Sequence, residues 1–369
     1  CPIHKLPTEL LCTIFLMCGE TNRIFDYPQD ERVIARPTER PRRQPSRYSR
    51  SSVLFGYVCS RWLTITRGCP QLWTLIDIAM PEACDIVALK LCLDNSAKLP
   101  LSLRMDDRFS SPRSEEKSAI CSATCLRFMN LVAFAAHRWA EISIFWAEYT
   151  PRPIILAAPL FSVPAGSFRS LVRATVDLSA ERDSNSSASK GLWRTFNGST
   201  ALRTVRLQSY DQWQGVYIYV AVLGSLRLQS LTSLGVKDVL PEHVMDLLKR
   251  CPALESFQAV VSTALGSNKG DLIPIVKKPI SLSQLKVLIL SGQRSFGNLF
   301  KGIKVPLLNR LDLSNAGVQA DLIEDMLTRS NAQLRMLSIW QGVKHDGVPK
   351  EIMALLRCAA LRQLKIFRY

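Results

Sequence analysis

Four histidines, His4, His137, His243 and His345, are the only imidazoles this chain could use in catalysis, and none sits in a nucleophile–base or metal-ligand motif. Gly297 and Gly302 have the spacing of a phosphate loop, but Ile303 stands where the phosphate-holding lysine belongs, so the match fails. Cys121, Cys125 and His137 offer three zinc-ligand atom types. The cysteine spacing fits one helix face, no fourth ligand stands out, and core packing is the expected role. The sequence therefore points away from an enzyme and implies no catalytic residue, metal or cofactor.

What remains is surface chemistry. There are 47 Lys and Arg against 31 Asp and Glu, a formal charge of +16, which favours anionic partners. The excess reads as diffuse along the chain, which disfavours nucleic acid as the partner. No apolar run approaches the roughly 18 residues of a membrane helix, so no membrane is expected. Eleven cysteines, odd in number and set mostly among leucines, read as free thiols in a reducing cytoplasm or nucleus.

The segment HKLPTELLCTIFLMC reads as an amphipathic helix, with Pro7 in its first turn and Leu10, Leu11, Ile14 and Phe15 on one face. Residues 19–52, rich in Arg and Pro, read as a flexible insertion, and the basic run 36–50 within it as a solvated loop. Helical spacing returns with Leu54, Val58, Trp62 and Ile65 and stops at Gly68 and Pro70. Between 81 and 200 the signals blur: helix candidates near 84–95 and 117–138 are interspersed with strand-like LPLSLRM, RWAEISIFW and LVRATVDLS.

From 201 to 369 a frame L-x-x-L-x-L repeats. It occurs at Leu285-Leu288-Leu290, Leu308-Leu311-Leu313, Leu334-Leu337-Ile339 and Leu361-Leu364-Ile366, with looser copies starting at Leu202, Leu231 and Leu254. Successive starts lie 29, 23, 31, 23, 26 and 27 residues apart, with amphipathic helices such as ADLIEDMLTR between some of them. Strand, turn and helix at this period make a repeat stack, because no unit buries its apolar face alone.

LPTELLCTIF followed by VCSRWLTITRGCPQLW resembles the F-box, and with the repeats the chain resembles F-box proteins with leucine-rich repeats, including fungal ones. The resemblance implies an α/β chain: a three-helix F-box-like module over 1–80, degenerate leading repeats over 81–200, and an irregular leucine-rich repeat solenoid over 201–369. It implies a substrate-recognition subunit of an SCF-type cullin–RING ubiquitin ligase. The family's Skp-adaptor-facing positions fall on Leu6, Pro7, Leu10, Leu11, Ile14 and Phe15 and on Val58, Cys59, Trp62 and Leu63. Two departures stand out: 19–52 is longer than the usual link between the first two helices, and the repeats lack the regular Asn or Cys three residues after the frame. A leucine-rich scaffold outside ubiquitination, or a basic nucleic-acid-binding protein, are the alternative readings.

In each repeat the residues alternating with the frame are expected on the concave face. They mark Arg206, Arg310, Met336, Trp340, Lys365 and Phe367 as candidates to bind an acidic or phosphorylated target protein. Trp340 and Phe367 fit either a binding hot spot or a cap on the final repeat.

Overall fold

A computed structural model describes residues 2–20, 51–78, 81–106, 115–145, 153–177, 187–208, 227–239, 241–261, 279–292, 296–315, 319–340, 350–358 and 361–368. Most of the basic, proline-rich 19–52 stretch lies outside them. The chain divides into two compact units, Cys1–Glu181 with Ser186–Leu202, and Arg182–Asn185 with Arg203–Tyr369.

The first unit opens with helices α1 (Thr8–Glu20), α2 (Ser51–Gly56) and α3 (Ser60–Arg67). Pro7 stands just before α1, where a missing N–H costs nothing, and its carbonyl accepts from Leu11 N–H at 3.1 Å. Leu11 and Phe15, one turn apart, meet Ile65 of α3 in a small core, with Ile3, Leu6, Cys12, Phe55, Trp62 and Leu72 packed around it. Phe15 stacks on Phe55 with ring centroids 4.5 Å apart, and Trp62 leans on Phe15 at 4.7 Å. Arg61 ties the ends of the module together, its Nη2 donating to Leu6 O at 2.6 Å across 55 residues.

Parallel strands then alternate with helices: β1 (Leu75–Ile78), α4 (Ala83–Asn95), β2 (Leu101–Asp106), α5 (Glu115–Phe134), β3 (Trp139–Phe145), α6 (Pro153–Phe161), β4 (Arg173–Asp177) and α7 (Ser187–Asn197). The register aligns Ile76, Leu103, Ile142 and Ala174 in one row, and Ile78, Met105, Ile144 and Val176 in another. The end of the 1–80 segment and the blurred stretch therefore keep the repeat frame with other residues in the leucine places: Trp73-Ile76-Ile78, Trp139-Ile142-Ile144 and Leu171-Ala174-Val176 are all buried. Two of the frames start on tryptophans whose indole N–H groups donate 2.7 Å bonds to carbonyls seven residues back, Trp73 to Thr66 O and Trp139 to Val132 O. A frame of leucines has no such donor, and each bond satisfies an N–H that burial would otherwise strand.

The second unit pairs β5 (Thr204–Gln208), β6 (Ser233–Val239), β7 (Ser256–Val261), β9 (Val287–Ser291), β11 (Arg310–Ser314), β12 (Met336–Trp340) and β13 (Ile366–Arg368) in that order, all parallel. A separate two-strand parallel pair joins β8 (Ile280–Ser281) to β10 (Ile303–Lys304). Helices α8 (Pro241–Arg250), α9 (Gly297–Gly302), α10 (Ala320–Ser330) and α11 (Lys350–Leu356) bury apolar stripes such as Val244, Leu247 and Leu248, or Ile323, Met326 and Leu327. All six frames from Leu202 to Ile339 are buried. This is the leucine-rich repeat arrangement of strand, turn and helix.

The last frame is corrected. In each repeat the carbonyl just before the strand accepts two N–H groups from the next repeat: Asn309 O takes Arg335 and Met336, and Arg335 O takes Lys365 and Ile366. That ladder aligns Leu337 with Phe367, three residues later than the Leu361-Leu364-Ile366 frame requires. Leu364 N–H bonds Leu361 O as Leu308 N–H bonds Val305 O, so Leu364 is the first position of this repeat. Phe367 consequently faces the core side, half-buried, and Ile366 takes its place on the open side.

Candidate functional site

Neighbouring positions on α1 part company. Leu11 is 0% exposed while Leu10 is 52% exposed. Leu10, Ile14 and Met17 fall at i, i+4 and i+7 and form an exposed apolar stripe; Leu54, Tyr57 and Val58 are exposed on α2 and its end, and Leu63 on α3. Of the positions the resemblance marked, Leu10, Ile14, Val58, Leu63 and Pro7 are exposed. Leu6, Cys59 and Trp62 are half-buried. Leu11 and Phe15 are buried in the module's own core and offer nothing to a partner. Sequence reasoning missed Met17, Leu54 and Tyr57, although Met17 continues the α1 stripe by one turn.

The other surface is the open face of the second unit's sheet, opposite its buried frame. The pairing brings Arg206, Gly235, Gln258, Ile289, Asp312, Ser338 and Arg368 into one row across the strands. Beside it run Thr204, Ser233, Ser256, Val287, Arg310, Met336 and Ile366. The residues that carry the ladder carbonyls, Arg203, Thr232, Glu255, Lys286, Asn309, Arg335 and Lys365, form the lower edge. Lys237 and Trp340 stand at the upper edge. Eight of these side chains are basic and two acidic. The helices share no such bias: α10 has Asp321, Glu324 and Asp325 against Arg329, α8 and α11 are balanced, and α9 carries only Lys301. Basic charge that reads as diffuse along the chain is thus gathered on the open face.

Several candidates change meaning here. Arg310 donates from Nε to Asp312 Oδ2 at 2.8 Å, and its Nη2 bonds the same oxygen, so its charge is matched within the face. Asp312 is 2% exposed, and its Oδ1 finds no hydrogen-bond partner among the described residues. Lys286 pairs with Glu255 at 2.8 Å. Arg206 lies along Gly235, where an added Cβ would stand 3.1 Å from its Cγ. Trp340 is 40% exposed and Met336 half-buried.

On the open face of the first unit, Arg104 of β2 stands opposite Asp77 and lies 3.4 Å from Asp106. Burial pushes the Asp77 carboxyl above its usual range, with Asp106 adding to the shift and Arg104 opposing it. A carboxyl whose folded pKa is raised gives up stability as pH rises through that pKa. Asp77→Asn is therefore expected to raise the melting temperature at pH 7, with the gain vanishing below the ordinary carboxylate pKa of 3.8. Paired thermal melts at pH 7 and pH 3 check this; an unchanged or lower melting temperature at pH 7 counts against it.

Among the described residues no cluster of His, Cys, Asp and Glu could hold a metal. Cys125 is core, and His137 is exposed on the short 3-10 turn before β3. No described helix is long and apolar enough to cross a membrane.

No family model matches the chain, and no curated protein does. Solved structures do. A chain of the yeast Rad7 and Elc1 complex aligns at 13% identity over 79% of this chain and 73% of its own, with a TM-score of 0.39. An internalin (inlF) of Listeria monocytogenes aligns at 13% identity over 86% and 92%, with a TM-score of 0.33. A leucine-rich repeat protein of Leptospira interrogans aligns at 15% over 81% and 79%, with a TM-score of 0.24. Similarity this low carries no activity or partner across, and the repeat architecture stands on the chain's own strand register.

Proposed function

We propose that this chain is a non-catalytic recognition subunit of an SCF-type ubiquitin ligase, docking a Skp adaptor through α1 and α2 and holding a target protein on its strand stack. The observation that carries this reading is the exposed apolar stripe Leu10, Ile14 and Met17, with Leu54, Tyr57 and Val58, on a module whose core is already closed by Leu11, Phe15 and Ile65. Apolar side chains in excess of what the fold uses mark a surface that a partner covers. The subunit would do no chemistry itself. By holding target and ubiquitin-charged enzyme in one assembly it raises their effective concentration, which is catalysis by positioning.

The test is retention of the full-length chain by a recombinant Skp adaptor. Wild type is expected to be retained, and the double variant Ile14→Asp/Val58→Asp to lose more than about tenfold, since each change buries a charge in an apolar contact. Both residues are exposed in the free chain, so its melting profile should not change. Equal retention of the two proteins overturns the reading and leaves a leucine-rich scaffold outside ubiquitination.

A further inference from the structure

The lower edge of the second unit's open face carries an unfavourable arrangement. Arg335 and Lys365 are both exposed and stand side by side just before adjacent strands, Lys365 N–H donating to Arg335 O at 2.9 Å. Neighbouring strands lie about 4.8 Å apart, and like charges placed opposite each other across strands destabilise the pair. The next position along this edge is Asn309, which offers no charge to offset them. Farther along, Lys286 has Glu255 beside it and Arg310 has Asp312. An anion seated between Arg335 and Lys365 would turn this repulsion into attraction.

Two further features lie on the same strands. Met336 and Ile366 pair across the strands, and Trp340 stands farther along the same face of β12 beyond Ser338, with Trp340 and Ile366 exposed. Asp312, on the strand beside Met336 and Trp340, keeps one buried carboxylate oxygen without a donor. A buried acceptor left unmade costs on the order of 1–3 kcal/mol, so these strands already carry a local cost.

We propose that these strands bind an extended acidic or phosphorylated peptide segment of the target, with Arg335 and Lys365 as its anion clamp and Met336, Trp340 and Ile366 as its apolar seat. The proposal rests on the interaction-protein reading above and names the partner's chemistry. A sugar–phosphate backbone offers no apolar side chain to the seat formed by Met336, Trp340 and Ile366; the face therefore favours peptide. Arg310, one of the cations that the repeat frame points to, is not part of the clamp, because Asp312 already holds it.

The probe is an array of short peptides bearing glutamate or phosphoserine on varied apolar backgrounds, with neutral Gln and Ser counterparts. Full-length wild type is expected to be retained on the anionic members and not on the neutral ones. Arg335→Glu/Lys365→Glu should lower that retention about tenfold or more, as charge-assisted hydrogen bonds are replaced by repulsion. Trp340→Ala should lower it on aromatic and aliphatic backgrounds alike. All these side chains are exposed, and unchanged melting curves confirm intact variants. Retention that ignores peptide charge, or survives the double charge reversal, overturns the proposal; so does single-stranded DNA that competes the anionic peptides off at lower concentration. The same double variant should still bind the adaptor, so a failed clamp and a failed adaptor interface give different results.

Discussion

Leu11→Asp should unfold the N-terminal helical module, while Leu10→Asp, one residue away, should leave it folded. Leu11 is fully buried against Phe15 and Ile65, with the ring cluster of Phe15, Phe55 and Trp62 alongside. Truncating such a residue to alanine costs about 2–5 kcal/mol. A carboxylate there also has to be desolvated with no partner, and a core this small holds too little stability to absorb both. Leu10 is half-exposed, and a surface change of that kind stays within roughly 0.5 kcal/mol. Limited proteolysis of the two variants separates them: rapid cleavage inside α1 and α3, Thr8–Glu20 and Ser60–Arg67, is expected for Leu11→Asp only. Resistance of Leu11→Asp equal to wild type would refute the buried placement. The contrast also shows why Leu11→Asp is a poor probe of adaptor binding: it would abolish binding by destroying the surface that Ile14 and Val58 display.

Arg138→Ala should be among the most destabilising single changes in the first unit. Its Nη1 donates to Leu93 O at 2.9 Å, and its Nη2 to Ser96 Oγ at 2.6 Å and Leu99 O at 3.2 Å. These acceptors close the C-terminal turn of α4 and steer the chain into β2. Burial lowers the guanidinium pKa from its ordinary value, yet arginine stays protonated at neutral pH, so all three bonds are charge-assisted. Removing the side chain leaves three part-buried acceptors at the end of a helix without their charged donor, with an expected cost of about 2 kcal/mol. Arg138→Lys should recover only a minor part, since one ammonium lacks the fork that reaches the three acceptors. Urea melts of the three proteins check this; a loss below about 1 kcal/mol for Arg138→Ala would show that water replaces the strut.

Much of the architecture was legible along the chain because its signals are local. Leucines at L-x-x-L-x-L place alternate residues on one side of a strand whatever surrounds it, and all the frames from Leu202 to Ile339 are core. The apolar spacing at 84–95 gives a helix at Ala83–Asn95, and LPLSLRM, RWAEISIFW and LVRATVDLS give β2, β3 and β4. Less legible were the leading repeats, because burial and shape rather than residue type hold a frame. Trp73, Trp139 and Ala174 fill leucine positions and hide the repeat from a search for leucine.

The tertiary structure decided what no local pattern contains. Leu10, Leu11, Ile14 and Phe15 are equally apolar in sequence, and only the arrival of Ile65, Phe55 and Trp62 from forty or more residues away selects Leu11 and Phe15 as core. Backbone hydrogen bonds to Arg335 O set the last strand, and they override a leucine pattern that fits three residues earlier. Charge is read in the same way. The basic positions of the open face, from Arg203 to Arg368, lie no more than two to a repeat along the chain, and only strand pairing gathers them onto one face. Sequence by itself determined which segments become strands and helices, since that follows from alternation within a few residues. Only long-range pairing and packing determined which apolar and charged side chains are left for a partner.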